Sequence, residues 1–132
     1  MAGLYVDTSA VGRVLLDEPD AGAILDVIGL YEVRWSSALL VVELRRLGVK
    51  AGLADAAEEV LGTVRLLDLD MAAVERASRI EPVKVRSLDA IHLDAAVVLA
   101  RRGDVDAVLT YDRQLQAGCV HHGLAVEAPS IA

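Results

Sequence analysis

Gly3-Leu4-Tyr5-Val6-Asp7-Thr8-Ser9 opens the chain with a short apolar run that ends in an acid and two hydroxyls. Leu4 to Asp7 reads as a strand. Val11, Val14 and Leu15 then recur at helical spacing until Asp17-Glu18-Pro19 stops the pattern. Strand followed by helix is the start of an α/β unit, and it places Asp7 just past the carboxyl end of a strand.

The alternation continues outward from there. Asp20 is placed as N-cap of a helix through Ala21, Ile24, Leu25 and Ile28 that Gly29 stops, and Glu32 to Trp35 reads as a strand. Ser36 or Ser37 can cap a helix carrying Leu39, Leu40, Leu44 and Leu47. Asp55 with Glu58 starts another that ends near Gly62, before a Val64 to Leu69 strand. After Asp70 the pattern predicts a helix to about Ile80, a linker at Pro82, a helix from Leu88 to Arg102, a strand from Ala107 to Thr110, a short helix after Asp112 and a last strand near Leu124 to Val126. Parallel neighbours need a crossover long enough to hold a helix, so these five strands predict a mainly parallel sheet covered on both faces. With no repeats or linker-like tracts, the 132 residues fit one α/β domain spanning 1–132.

Composition excludes several function classes. Apolar residues make up 55%, yet there is no Phe, one Trp and three Tyr, so stacking of bases on aromatic platforms is not expected. No stretch approaches the roughly 18 to 20 apolar residues of a membrane span. The N-terminus enters its strand without a basic segment and a long apolar one, which predicts a cytoplasmic protein. Cys119 stands alone, excludes an internal disulfide and reads as a small buried hydrophobe. The formal charge of −7 argues against a passive nucleic-acid binder, which would present a basic face to phosphates.

Four acids stand out by position. Ligands of parallel sheets collect at the carboxyl ends of the strands, where both Asp7 and Asp112 fall. Either could instead simply cap the helix that follows it. Glu43 projects from the stripe of Leu39, Leu40 and Leu47, where a lone charge is costly unless it is paired or binds metal. Asp89 lies in the first turn of the late helix, where the helix dipole alone would favour it. Asp94 is about 140° around that helix from Asp89, too far to share a small site, and reads as structural. His92, within one turn of Asp89, could support the site or carry a proton but reads first as a hydrogen-bonded packing residue, and His121 and His122 read as loop residues. Clustered carboxylates without Cys or well-spaced His favour hard cations, Mg²⁺ or Mn²⁺, over zinc.

In order along the chain, Tyr5-Val6-Asp7-Thr8-Ser9-Ala10, Ser37-Ala38-Leu39-Leu40-Val41-Val42-Glu43-Leu44, Leu88-Asp89-Ala90-Ile91-His92-Leu93 and Leu109-Thr110-Tyr111-Asp112 resemble the PIN-domain ribonucleases. They resemble most closely the VapC-type toxins of type II toxin–antitoxin pairs. Asp112-Arg113-Gln114-Leu115 followed by Gly123-Leu124-Ala125-Val126 and Pro129 looks like that family's closing helix and edge strand. The resemblance spans essentially the whole chain with no departure at an acidic position.

It implies a PIN-like α/β/α sandwich, and a metal-holding, catalytic quartet of Asp7, Glu43, Asp89 and Asp112 supported by the hydroxyls of Thr8, Ser9 and Thr110. It also implies RNA as substrate, hydrolysis by metal-activated water, a homodimer and a VapB-like antitoxin that blocks the acidic groove. Two bound divalent ions would offset more than half of the −7 charge. Arg13, Arg45, Arg46, Arg86 and Arg113 lie near the acids in sequence and are candidates to grip flanking phosphates.

Two other readings compete. A haloacid-dehalogenase-like phosphatase also begins with a strand ending in Asp, but needs a second Asp where this chain has Ser9. A degenerate PIN domain kept for partner binding should have lost at least one acid, and all four are present.

Overall fold

The computed structural model describes residues 2–130; Met1, Ile131 and Ala132, which the expected domain includes, lie outside the described residues. The elements are β1 (Gly3–Val6), α1 (Thr8–Leu15), α2 (Ala21–Ile28), β2 (Val33–Ser37), α3 (Leu39–Ala51), α4 (Ala54–Leu61), β3 (Arg65–Leu67), α5 (Met71–Ala77), α6 (Ser87–Arg101), β4 (Ala107–Leu109), α7 (Arg113–His121) and β5 (Ala125–Glu127). The five strands form one sheet in the order β3-β2-β1-β4-β5, and every pairing is parallel. No helix among the described residues is long and apolar enough to cross a membrane.

Strand alternation divides the core. Leu4 and Val6 of β1 pack with Ala10, Val11, Leu40, Leu44 and Ala57 from α1, α3 and α4. Tyr5, between them, points to the other face, where Leu93, Ala96 and Leu99 of α6 and Leu115 and Cys119 of α7 lie. Helices α1 to α4 therefore cover one face and α5 to α7 the other. The chain leaves β1 for β2 on one side, and β4 lies on the other, so a crevice opens past the carboxyl ends of β1 and β4.

Several boundaries differ from the sequence reading for physical reasons. Pairing with Arg65 to Leu67 extends β2 through Ser36 and Ser37, so neither is the N-cap of α3. Ala38 takes that place, although the Ser37 hydroxyl still accepts from Leu39 N–H at 3.1 Å. Asp20 is the N-cap residue of α2 as expected, but its side chain makes no capping bond and one of its oxygens pairs with Arg13 at 2.8 Å. Helix α5 stops at Ala77, short of Ile80. His121 is the last residue of α7 and His122 its C-cap, with His122 Nε2 2.7 Å from the Glu81 carbonyl, so they are not loop residues.

Gly48 shows how closely α3 and α4 pack. A Cβ there would stand 2.7 Å from the Ala57 Cβ and 3.1 Å from the Leu53 carbonyl oxygen, neither of which is a flexible tip. Gly48→Ala gains about 1 kcal/mol of helix propensity, and forcing the helices apart costs about 1 to 3 kcal/mol. We expect a net loss of stability, read as a lower urea midpoint; an unchanged or higher midpoint would show that α4 yields freely.

Candidate active site

Asp7 follows β1 directly and is 3% exposed. It caps α1 by accepting from Ala10 N–H at 3.2 Å, and the same oxygen accepts from the Ser9 hydroxyl at 2.7 Å. Its other oxygen accepts from the Thr110 hydroxyl at 2.7 Å, which ties the end of β1 to the end of β4. Burial raises the Asp7 carboxyl above its ordinary value; His92 and the bonds from Thr110, Ser9 and Ala10 oppose that rise without cancelling it.

Glu43, half-buried on α3, receives two bonds on one oxygen, from the Thr8 hydroxyl at 2.8 Å and from His92 Nε2 at 2.7 Å. Burial would raise its carboxyl, but the His92 and Thr8 contacts outweigh it and the net direction is downward. The bond to His92 joins α3, on one face of the sheet, to α6 on the other. It can form only because the sheet ends here and the two layers meet past its edge.

Asp89 and Asp112 make the outer half of the cluster. Asp112 caps α7 by accepting from Gln114 N–H at 2.9 Å and Leu115 N–H at 3.0 Å. Its second oxygen is 3.4 Å from Arg86 Nη2, while Arg86 Nε is 3.6 Å from Asp89. Burial, then the charges of Asp112 and Asp7, raise the Asp89 carboxyl against the pull of Arg86. Asp89 therefore feels both Asp112 and Asp7 across the crevice.

The remaining sequence candidates sort by their partners. Asp94 is buried facing α5 and pairs with Arg76 at 3.1 Å, away from the crevice. Arg13 pairs with Asp20 and lies 4.1 Å from the centre of the Tyr111 ring, and Arg45 is committed to Glu58 at 2.8 Å. Arg86 alone of the five named arginines bridges two of the acids. A groove beside the cluster is lined by Thr8, Glu43, Arg45, Arg46 and Lys50 together with the apolar Leu47 and Val49. Cys119 is fully buried, and burial, with the Asp7 charge adding, pushes its thiol up to about 12, which makes it a packing residue.

A profile of the PIN domain matches residues 4–119. The chain belongs to the PIN-domain family. Ribonuclease VapC46 of Mycobacterium tuberculosis (strain ATCC 25618 / H37Rv) is 33% identical over 132 residues, covering 98% of this chain and 100% of that protein. Ribonuclease VapC47 of Mycobacterium tuberculosis (strain CDC 1551 / Oshkosh) is 33% identical over 133 residues, covering 96% of each. Among solved structures, that of the sarcin-ricin loop cleaving toxin VapC20 of Mycobacterium tuberculosis superposes with a TM-score of 0.67 at 17% identity, over 86% of this chain and 93% of that one, a likeness of fold.

In this PIN domain the donor chemistry fits a hard divalent cation: four carboxylates with hydroxyl neighbours, Asp7 raised by burial and Asp89 by burial and the charges of Asp112 and Asp7. Among the described residues no three acidic, His or Cys groups are arranged as a ready coordination cluster. Magnesium does not require one, since it commonly keeps much of its water and uses one or two carboxylates together with substrate phosphate.

The sequence reading ranked one partner of the cluster too low and missed another. His92, weighed as a supporting group because it lies one turn from Asp89 but read first as a hydrogen-bonded packing residue, bonds Glu43. Tyr5 was quoted only as part of a strand. Its signal was a hydroxyl in an otherwise apolar, fully buried run two residues before Asp7.

A raised carboxyl means that the folded state holds its proton more tightly than the unfolded chain does. The stability this contributes is complete below the ordinary value of 3.8 and is lost as pH rises through the folded value. Ionised Asp7 therefore destabilises the metal-free protein at neutral pH. Asp7→Asn removes that charge, and the Thr110 hydroxyl can rotate to accept from the new amide. We expect Asp7→Asn, in EDTA at pH 7, to unfold at higher temperature, by about 0.5 to 2 kcal/mol of stability. The gap should close as pH falls through the raised carboxyl value; lower stability than wild type throughout would show that the fold favours the charge.

Proposed function

We propose that this PIN domain, taken as a single domain over residues 1–132, is a Mg²⁺- or Mn²⁺-dependent endoribonuclease and the toxin of a toxin–antitoxin pair. Asp7, Glu43, Asp89 and Asp112 hold the metal and form the catalytic site, with Thr8, Ser9 and Thr110 in support. The observation that carries this reading is the placing of the acids around the crevice beyond β1 and β4, with Asp7 raised toward protonation by burial and Asp89 by burial and the charges of Asp112 and Asp7. Near full-length similarity to proteins named ribonucleases supports the substrate class.

A bound divalent cation supplies acidification of water and neutralisation of charge at a phosphodiester. The protein supplies placement. Ser9, Ala10 and Thr110 hold Asp7 through both of its oxygens, so its orientation is set by β1 and β4 together. Thr8 does the same for one oxygen of Glu43. Asp112 is fixed by the first turn of α7. Arg86, exposed and shared between Asp89 and Asp112, neutralises that pair and is free to turn to a phosphate instead. The groove with Arg46 and Lys50 offers an approach for RNA to an otherwise acidic protein. The same acidic crevice is where a VapB-like antitoxin would inhibit, in a cytoplasmic, homodimeric toxin.

Purified, antitoxin-free protein is expected to cut labelled total RNA into discrete products with Mg²⁺ or Mn²⁺ and to lose that activity in EDTA. Asp7→Asn and Glu43→Gln should each reduce cleavage about 100-fold or more, the scale on which removing one electrostatic group at a reacting centre acts. Cleavage that survives EDTA, or both substitutions, would refute this assignment.

A further inference from the structure

Behind Glu43 runs a column of hydrogen bonds that the four-carboxylate site does not by itself require. Ser37 N–H donates to the Tyr5 hydroxyl oxygen at 3.1 Å, that oxygen is 2.7 Å from His92 Nδ1, and His92 Nε2 is 2.7 Å from Glu43 Oε1. Tyr5 is fully buried and His92 is 3% exposed. With Glu43 ionised, Nε2 must carry the proton it donates. In the neutral ring Nδ1 then accepts from Tyr5, so the Tyr5 hydroxyl selects the tautomer that serves Glu43.

Packing does not account for the column. Tyr5 lies between Leu4 and Val6 and faces Leu93, Ala96 and Leu99, where Phe or Leu would fill the space without a hydroxyl to satisfy. A buried polar chain is worth keeping when each member has a partner and the chain fixes one arrangement. Its end point here is a single carboxylate oxygen. Oε1 of Glu43 receives both the His92 and the Thr8 bonds, while Oε2 accepts none among the described residues.

We propose that Tyr5 and His92 are positioning residues for Glu43, holding it through Oε1 so that Oε2 is left as the oxygen available to a divalent cation. This rests on the nuclease reading above. An outer partner of this kind typically carries tenfold to 100-fold of metal affinity.

The test is Mn²⁺ titration by calorimetry on the metal-free full chain, with thermal unfolding run alongside, for wild type, His92→Leu, His92→Gln and Tyr5→Phe. His92→Leu removes the donor and is expected to weaken Mn²⁺ binding about tenfold to 100-fold. The amide of His92→Gln can replace Nε2–H and should recover most of the loss. Tyr5→Phe should weaken binding by a smaller factor in the same direction. RNA cleavage by His92→Leu should return toward the wild-type rate as Mn²⁺ is raised to saturation, which a variant damaged only in its packing would not do. Wild-type affinity in a folded His92→Leu, or equal losses in the Leu and Gln variants, would overturn the proposal while leaving the nuclease reading intact. Should His92→Leu fail to fold, unchanged affinity in Tyr5→Phe would overturn it. A wild-type chain that binds no Mn²⁺ would sink the metal site itself and this proposal with it.

Discussion

Repulsion among gathered carboxylates is the constraint on which the arrangement of this site depends. Two like charges 4 Å apart cost about 4 kcal/mol at the effective dielectric of a protein surface. The cluster holds because each acid has its own compensation, and the compensation differs across the crevice. Asp7 and Glu43 accept from buried or half-buried hydroxyls, a backbone amide and an imidazole, all fixed by strands and helices. Asp89 and Asp112 share one exposed guanidinium on a flexible stem. Asp7, Glu43 and, through its α7 cap, Asp112 are thus held by fixed donors, while Asp89 has only the exposed Arg86 guanidinium opposite its charge.

The acids also do structural work, and the simple capping readings of Asp7 and Asp112 hold alongside any role in the site. Asp7 caps α1 and Asp112 caps α7. Each thereby satisfies amides that the helix leaves unpaired and turns the positive end of a helix dipole toward the cluster. Because β1 and β4 are adjacent and parallel, these two helix starts come side by side, and the Thr110 hydroxyl joins them through Asp7. Fold and site are set by the same few residues.

Much of this was legible in the sequence because it is local. Alternating strands and helices, the all-apolar β1 and the stops at Gly29 and Gly62 all follow from spacing along a few residues. The positions of Asp7 and Asp112 at strand ends follow in the same way. What was not legible depends on tertiary partners. Ser36 and Ser37 offered a cap, but a neighbouring strand recruited them into β2. Asp20 does stand at the N-cap of α2, but its carboxylate meets Arg13, seven residues before it, at 2.8 Å and makes no bond to the helix amides. His92 and Glu43 lie in different helices, on opposite faces of the sheet. Nothing in either local stretch indicates that they meet beyond its edge.

Helix α6 shows why such contacts belong to the fold and not only to the site. It is buried over most of its length, with Ala90, Ala95 and Ala96 among its packed residues. Small, similar side chains give a helix little to fix its rotation, since one alanine can replace another in a socket. The polar residues supply what the alanines lack. His92 is held between Tyr5 and Glu43, and Asp94 is bound to Arg76 of α5. Each residue turns a helix by about 100°, so slipping α6 by one position would strand His92 and Asp94 together, both buried and both without partners. The cost of leaving those groups unsatisfied selects one setting of the helix. That setting delivers Asp89 to the crevice, where it meets the charges of Asp112 and Asp7.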